Sequence, residues 1–145
     1  MKRTRIDLQE VAAWPNLAEA AYKASKGKRN RPEVAKFFAC FDASLAQLSA
    51  DILAGKMPKG IFRAFTIHDP KQRTIHAACF ANCVFHHALI NLIGPTLDRG
   101  LTDATYACRV GKGQHAAASR VQHHLRRYPW YVKIDINSYF HTIVP

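Results

Sequence analysis

Acidic side chains, long apolar runs and paired cysteines are all scarce in this sequence. Its 145 residues contain 10 Asp and Glu against 21 Lys and Arg, which gives a formal net charge of +11 at pH 7. That excess indicates a polyanionic partner, with nucleic acid first and an anionic membrane second. The membrane is the weaker case, because no apolar run is long enough to span a bilayer and no basic amphipathic helix rich in Trp and Leu is present.

A secretory signal is also missing, since the basic N-terminal residues are not followed by an apolar segment. The four cysteines, Cys40, Cys79, Cys83 and Cys108, include no Cys-x-x-Cys pair. We therefore expect reduced, mostly buried thiols rather than a disulfide framework. A cytoplasmic location follows from both expectations.

Apolar residues are plentiful, at 48% of the chain, and 145 residues are enough for one domain with its own core. Apolar spacing, proline and glycine predict the following elements: two short helices separated by Pro15, a helix over 33–53, a hairpin over 61–75, a helix over 77–93 that ends at Gly94-Pro95, a helix over 114–127 and a strand over 130–136. Helices and a few strands without strict alternation indicate the α+β class.

The first 31 residues form a basic N-terminal helical extension in this scheme. Their eight Lys and Arg fall into two clusters: Lys2, Arg3 and Arg5, then Lys23, Lys26, Lys28, Arg29 and Arg31. The second cluster has no hydrophobic periodicity, so it is predicted to be an exposed loop. It is suited to holding a phosphate backbone, although a merely solvated basic loop has the same pattern.

The predicted hairpin carries Lys71 and Arg73 at or beside its tip, where Asp69-Pro70 supplies the turn chemistry. Residues two apart on a strand lie on the same face. Such a pair can bind a polyphosphate, and ordinary surface charge is the alternative.

A second phosphate-binding candidate is the turn Gly111-Lys112-Gly113, which precedes the predicted helix over 114–127. Backbone N–H groups at a helix start attract phosphate. The turn lacks the upstream glycine and the following hydroxyl of a P-loop. On the helix, Arg120 and Arg127 share a face that could follow a nucleic-acid backbone or simply be solvated.

The C-terminal stretch, 133–143, places Asp135 inside an apolar alternating run. A carboxylate on a buried strand is costly unless it is paired, hydrogen-bonded or bound to a metal. Asp135 is the only acidic residue after Asp103. It either caps the turn that follows or binds a metal ion.

Three stretches, taken in order, resemble the N-terminal part of a reverse transcriptase of the group II intron type, and most closely those of diversity-generating retroelements. Residues 69–75 with the helix up to 93 resemble the fingers. Residues 106–117 resemble the block (Y/F)-x-x-R-x-G-x-(G/S)-x-H-x-A, and residues 135–143 resemble the first palm motif, Asp-Ile-x-x-x-Phe-x-x-Ile. The resemblance runs from about residue 10 to the C-terminus and implies fingers over 32–128 and the start of a palm over 129–145.

The resemblance also implies residue roles. Asp135 and the Ile136 carbonyl would contact catalytic Mg²⁺, and Phe140 would lie under the deoxyribose of the incoming dNTP. Lys71 and Arg73 would bind its triphosphate. Arg109, Gly111, Lys112 and Gly113 would hold the RNA template, paired with a DNA primer. Arg120 and Arg127, on the basic helix face described above, complete the expected template-binding set.

The sequence departs from the family in one respect that affects chemistry. It contains no aromatic-x-Asp-Asp motif and no Asp-Asp pair, and one carboxylate cannot hold two Mg²⁺ ions for in-line transfer. We therefore expect a fragment or decayed copy that lacks the rest of the palm and the thumb, does not polymerise alone and leaves apolar palm surface exposed. The alternative is a standalone basic RNA-binding module in which Asp135 is structural.

Overall fold

The computed structural model describes residues 5–136 and residue 139. Within them the chain forms six helices and one two-stranded antiparallel sheet, so the predicted α+β class is confirmed. The elements in chain order are α1 (Leu8–Ala12), α2 (Trp14–Ser25), α3 (Pro32–Ala39), α4 (Phe41–Leu53), β1 (Phe62–His68), β2 (Gln72–Ala78), α5 (Phe80–Gly100) and α6 (Gln114–Leu125).

The chain divides into two compact units, Met1–Gly100 and Leu101–Pro145. The first contains α1 to α5 and the hairpin, and the second contains α6. The functional boundaries expected after residues 31 and 128 stay predictions.

The first two helices begin where side-chain chemistry predicts. Asp7 caps α1: its carboxylate accepts from the backbone of Gln9 at 3.3 Å, while Glu10 accepts from the Asp7 backbone at 3.1 Å. Pro15 lies in the first turn of α2, where a missing N–H costs nothing. The predicted split into two short helices is confirmed.

The prediction of a single helix over 33–53 is wrong in the middle of that range, because the helix is interrupted at Cys40. This residue has φ −123° and ψ 51°, outside the helical region, and separates α3 from α4. The break frees the Phe37 carbonyl, which accepts a hydrogen bond from the Ser44 hydroxyl at 3.2 Å. Phe37 also contacts Phe80 edge to face, with ring centroids 5.0 Å apart. A side-chain hydrogen bond and an aromatic contact thus replace the helical continuity.

The core of the first unit lies between α1, α2, α4 and α5. Helix α3 adds Val34, and the larger buried side chains are Val11, Leu17, Val34, Leu45, Leu48, Ile52, Phe80, Val84 and Phe85. Where α2 faces α5, the buried residues are mainly alanines, which let the two helix backbones approach closely. Each large side chain buried in this way contributes about 1.5–3 kcal/mol relative to an exposed one.

Asn16, Asn91 and Lys23 form a polar cluster between α2 and α5, here called the asparagine clamp. The Asn16 amide donates to the Val11 carbonyl at 3.0 Å and to the Ala88 carbonyl at 3.2 Å. Asn91 donates to the Asn16 side-chain oxygen at 2.9 Å and accepts from Lys23 Nζ at 2.7 Å. The clamp therefore connects the end of α1, α2 and α5.

The predicted hairpin is confirmed, with Phe62 paired to Ala78 at its base and His68 to Gln72 near its tip. The helix predicted over 77–93 is wrong at both ends. Residues 77 and 78 pair in β2, and α5 continues through Gly94 and Pro95 to Gly100. A proline removes one backbone bond, at a cost of about 3 kcal/mol, but its φ is helical and the flanking turns can form.

Lys59 fixes the loop that leads into the hairpin. Its ammonium lies 2.8 Å from the Asp51 carboxylate, and its backbone N–H donates to the buried Asn82 side chain at 2.9 Å. Two hydrogen bonds lower the pKa of Asp51 below its ordinary value: the one from Lys59 has the larger effect and the one from Gln47 the smaller. The approach to β1 is thereby attached to both α4 and α5.

In the second unit, α6 ends two residues before its predicted end, with helical turns continuing to Tyr128. The strand predicted over 130–136 is wrong: these residues form no strand in the described part of the chain, and their side chains are exposed, Ile134 by 86% and Ile136 by 65%. A strand needs a neighbour for its backbone hydrogen bonds, and the described residues provide none. The apolar side chains of this segment are exposed, as expected, whereas its assignment to a palm stays a prediction.

The expectation of mostly buried thiols is also wrong. All four cysteines are free, Cys40 and Cys108 are exposed, and Cys79 and Cys83 are half-buried. Desolvation by burial raises the pKa of Cys83, so its reactive thiolate form is disfavoured.

Candidate nucleic-acid interface

The hairpin is exposed along almost its whole length, and one of its faces carries both apolar and arginine side chains. The strand register places Arg63, Phe65 and Ile67 on one face, opposite Ala77, Ile75 and Arg73 in that order. The Arg63 guanidinium lies over the Phe65 ring at 5.6 Å. This face is therefore an apolar centre with an arginine on each side.

Lys71 lies in the turn itself, outside the paired strands, and the Lys71 carbonyl accepts from the Asp69 backbone at 3.3 Å. Arg73 lies in β2, opposite Ile67. Both side chains are exposed, and within the described residues neither has a hydrogen bond or an ion pair. Two cations at the end of a projecting hairpin can therefore bind an anion without first breaking an internal contact.

The basic loop over residues 26–31 also belongs to the first unit and consists of hydrogen-bonded turns, as predicted. Its charge affects α5: burial lowers the pKa of His87, and the positive charges of Lys28 and Lys23 lower it further. Burial and the nearby positive charges therefore both favour the neutral form of His87.

In the second unit, Arg109 and Lys112 are engaged within their own loop. Arg109 donates to the Thr102 carbonyl at 2.8 Å. Lys112 donates to the Asp103 carbonyl, lies 3.7 Å from the Asp103 carboxylate and contacts the Tyr106 ring at 5.5 Å. These contacts fold the segment before α6 into a compact turn, so both side chains support the loop.

The glycines beside Lys112 have conformations that few other residues adopt. Gly111 has φ 72° and Gly113 has φ 124°, and Gly113 is the residue before the first turn of α6. The Gly113 carbonyl accepts from Ala117 at 3.0 Å, which begins the helix. The predicted glycine turn at a helix start is thus present, with its backbone exposed or half-exposed.

Arg120 and Arg127 are exposed on and just after α6, and Arg127 lies over the Tyr128 ring at 5.7 Å. The His124 ring also stacks with that of Tyr128, with ring centroids 6.1 Å apart and an interplanar angle of 25°. The second unit therefore combines cations and flat rings over one short stretch.

An apolar groove of about 500 Å³ runs beside these residues, entirely within the second unit. Its lining consists of Ala104, Tyr106, Ala117, Arg120, Val121, His124, Leu125, Tyr128, Trp130 and Tyr131. Ala117, Val121 and Leu125 have the spacing of a helix packing stripe, yet no residue of α6 is buried. The stripe lines an open groove instead of a core.

Asp135 and Ile136 lie in the exposed segment without regular secondary structure that follows the groove residues in sequence. Phe140 lies outside the described residues. Among the described residues, no three His, Cys, Asp or Glu side chains are grouped so that they could hold a metal ion. One aspartate can give part of a Mg²⁺ site, but the two-ion arrangement requires further carboxylates, so these residues do not fit it by themselves.

No protein-family model matches the chain, and no curated protein matches it. Family membership therefore stays a prediction from the three motifs. Within the described residues, no helix is long and apolar enough to cross a membrane.

Sequence patterns did not identify the groove, because its aromatic residues fall in different elements. Tyr106 precedes the glycine turn, Tyr128 follows α6, and Trp130 and Tyr131 lie in the segment predicted as a strand. The available signal was local density: four of the large aromatic residues lie within residues 106–131, next to Arg and His.

Proposed function

We propose that this chain provides the fingers and the first palm segment of an RNA-directed DNA polymerase, in which the hairpin binds the triphosphate of the incoming nucleotide. The main support is the pair of exposed cations, Lys71 and Arg73, at the end of a projecting hairpin. Charge-assisted hydrogen bonds to phosphate are among the strongest polar contacts that an exposed side chain can make.

The base of the hairpin is fixed in the way that such a role requires. The Cys79 backbone donates to the Ile61 carbonyl at 3.2 Å, and α5 begins immediately afterwards with the buried Phe80. Lys59 holds the incoming loop through Asp51 and Asn82. A hairpin attached at both ends can keep its tip in place while it binds a ligand.

Template binding is assigned to the second unit. Arg120 and Arg127 would contact phosphates directly, while Gly111 and Gly113 would offer backbone N–H groups. Arg109 and Lys112 hold the loop that presents them, through Thr102 and Asp103. Loss of either loop contact would weaken template binding indirectly.

Asp135 would contribute one carboxylate to Mg²⁺ in the assembled polymerase, with the Ile136 carbonyl beside it. The remaining metal ligands would come from sequence outside these 145 residues, since the chain has no Asp-Asp pair. We expect this polypeptide alone to bind nucleic acid without extending a primer.

The test is primer extension on an RNA template by the full-length gene product that contains this sequence. Asp135→Asn should abolish DNA synthesis while RNA binding is retained. Asp42→Asn, an exposed position in α4, serves as the matched control and should leave synthesis unchanged. Synthesis by the Asp135→Asn protein at the wild-type rate would refute the proposed metal role.

The alternative, a standalone RNA-binding module, predicts a different outcome for the same variant. If Asp135 is structural, Asp135→Asn should reduce folding and RNA binding together. The exposed position of Asp135 argues against that outcome, because a substitution at an exposed site usually changes the free energy of unfolding by less than about 0.5 kcal/mol.

A further inference from the structure

The groove of the second unit remains unexplained by a polymerase fingers role. Its volume of about 500 Å³ lies within the range of small-molecule sites, roughly 300–1,000 Å³. Trp130 and Tyr131 line it, although they are 88% and 78% exposed. Large rings left in water are costly, and a groove that gathers several of them is a binding surface.

The chemistry of the lining selects the occupant. Trp130 and Tyr131 offer exposed aromatic rings at the groove, next to Tyr106 and Tyr128, and flat rings favour a planar occupant over an aliphatic chain. Arg120 and His124 are the only lining residues with basic side chains, and the lining contains no acidic residue. The occupant must therefore combine a planar ring with a negative charge.

The surroundings of the groove carry the same sign of charge. Arg127 lies over Tyr128 at 5.7 Å, and Lys112 over Tyr106 at 5.5 Å. A second copy of this chain, with its net charge of +11, would be repelled by this surface. An acidic protein segment would match the charge but would leave the flat rings without a planar partner.

We propose that the groove binds an unpaired base of a single-stranded nucleic acid, which stacks on Trp130 and its neighbouring tyrosines while Arg120 contacts the adjacent phosphate. Base–aromatic stacking next to a basic surface is a general way to bind single strands. The bases of a duplex are stacked on each other and cannot enter the groove. The site therefore prefers single strands, and it requires neither the hairpin nor the metal-binding role of Asp135.

The decisive comparison uses two fluorescently labelled eight-nucleotide strands of equal charge, one of deoxythymidine and one with abasic sites. Fluorescence anisotropy should show the base-bearing strand binding about five- to hundredfold more tightly, as expected when stacking on an aromatic ring is removed. An RNA strand of the same length should bind with similar affinity, because stacking on the rings and the contact to phosphate do not depend on the sugar. The corresponding duplex should bind more weakly than the single strand.

Trp130→Ala should bring the affinity for the base-bearing strand close to that for the abasic strand, and leave abasic binding unchanged. The far-UV circular dichroism spectrum of the variant, compared with that of the wild type, checks that it is folded. Ile134→Ala is the matched control, since Ile134 is 86% exposed in the same segment but does not line the groove. Arg120→Gln should weaken binding of both strands.

Trp130 also gives a direct signal. With Trp14→Phe, Trp130 is the only tryptophan in the chain, and the base-bearing strand should quench its fluorescence at saturation while the abasic strand should not. Equal affinity for the two strands, or equal losses from Trp130→Ala and Ile134→Ala, would overturn the proposal. Lys71 and Arg73 take no part in these comparisons, so such a failure would leave the proposed triphosphate site at the hairpin standing, although Arg120 is shared with the proposed template interface.

Discussion

Replacing Asn16 with alanine tests whether the asparagine clamp fixes α5, the helix that begins directly after the hairpin. The substitution removes the donor to the Val11 and Ala88 carbonyls and the acceptor for Asn91, together with a longer bond to the Glu10 carbonyl at 3.4 Å that is left out of the sum. Three hydrogen bonds at about 0.5–1.5 kcal/mol each give an upper range of ~1.5–4.5 kcal/mol. The bonds share one side chain and are not additive, so we expect a loss of about 2–3 kcal/mol.

The measurement is urea unfolding of the chain followed by far-UV circular dichroism. Asn16→Ala should lower the unfolding midpoint without changing the slope, because the amount of surface exposed on unfolding stays the same. Asn30→Ala is the matched control: Asn30 lies exposed in the basic loop and makes no hydrogen bond among the described residues. It should stay within about 0.5 kcal/mol of the wild type.

Asn91→Ala completes a double-mutant cycle with Asn16→Ala. If the clamp acts as one unit, the double variant should lose less stability than the sum of the two single variants, by at least about 0.5 kcal/mol. Equal stabilities of Asn16→Ala and Asn30→Ala would refute the structural role assigned to the clamp.

Three further predictions concern the core, the pH dependence and the salt dependence. Leu45→Ala should cost about 2–5 kcal/mol because Leu45 is fully buried, whereas Leu53→Ala, at a position 53% exposed on the same helix, should cost far less; similar losses in urea unfolding would contradict the assigned core. Because the pKa of His87 is lowered in the folded chain, the unfolded chain binds protons more readily, and the free energy of unfolding should fall as pH drops below about 6.5 through the lowered pKa. This pH dependence should be absent in His87→Gln, and an unchanged pH profile in that variant would contradict the assigned role of His87. RNA affinity should fall with a log–log slope of about −0.7 per neutralised phosphate for single strands, and binding insensitive to salt would rule out a phosphate-dominated interface.

Local chemistry predicted the elements whose ends depend on one or two residues. Pro15 lies in the first turn of α2, and Asp69-Pro70 marks the hairpin turn. The break at Cys40 was missed because apolar periodicity continues across it, and the Ser44 contact that stabilises it depends on the folded arrangement. Continuation of α5 through Pro95 was missed because proline weakens a helix without forbidding it.

The segment over 130–136 shows the limit of pattern reasoning more clearly. Its alternation predicts a strand, but a strand exists only if a neighbour pairs with it, and pairing is not encoded in the segment itself. The described residues provide no such neighbour, so Trp130 and Ile134 are exposed.

The candidate site was predicted in its residue types more than in its contacts. Lys71 and Arg73 were expected at a hairpin tip, and they lie in its turn and on the adjacent strand. Arg109 and Lys112 were expected to hold template, and their observed contacts to Thr102 and Asp103 could not be inferred from spacing.

Binding of a fluorescently labelled dNTP in Mg²⁺ by this chain tests the central claim, that the hairpin tip binds a triphosphate, most directly. Lys71→Gln combined with Arg73→Gln should reduce the affinity at least about tenfold, which corresponds to a loss of about 1.4 kcal/mol. Lys36→Gln removes one positive charge at an exposed position of α3, as each hairpin substitution does at its own site, and it should have little effect. Equal affinities for the hairpin double variant, the Lys36→Gln control and the wild type would contradict the account.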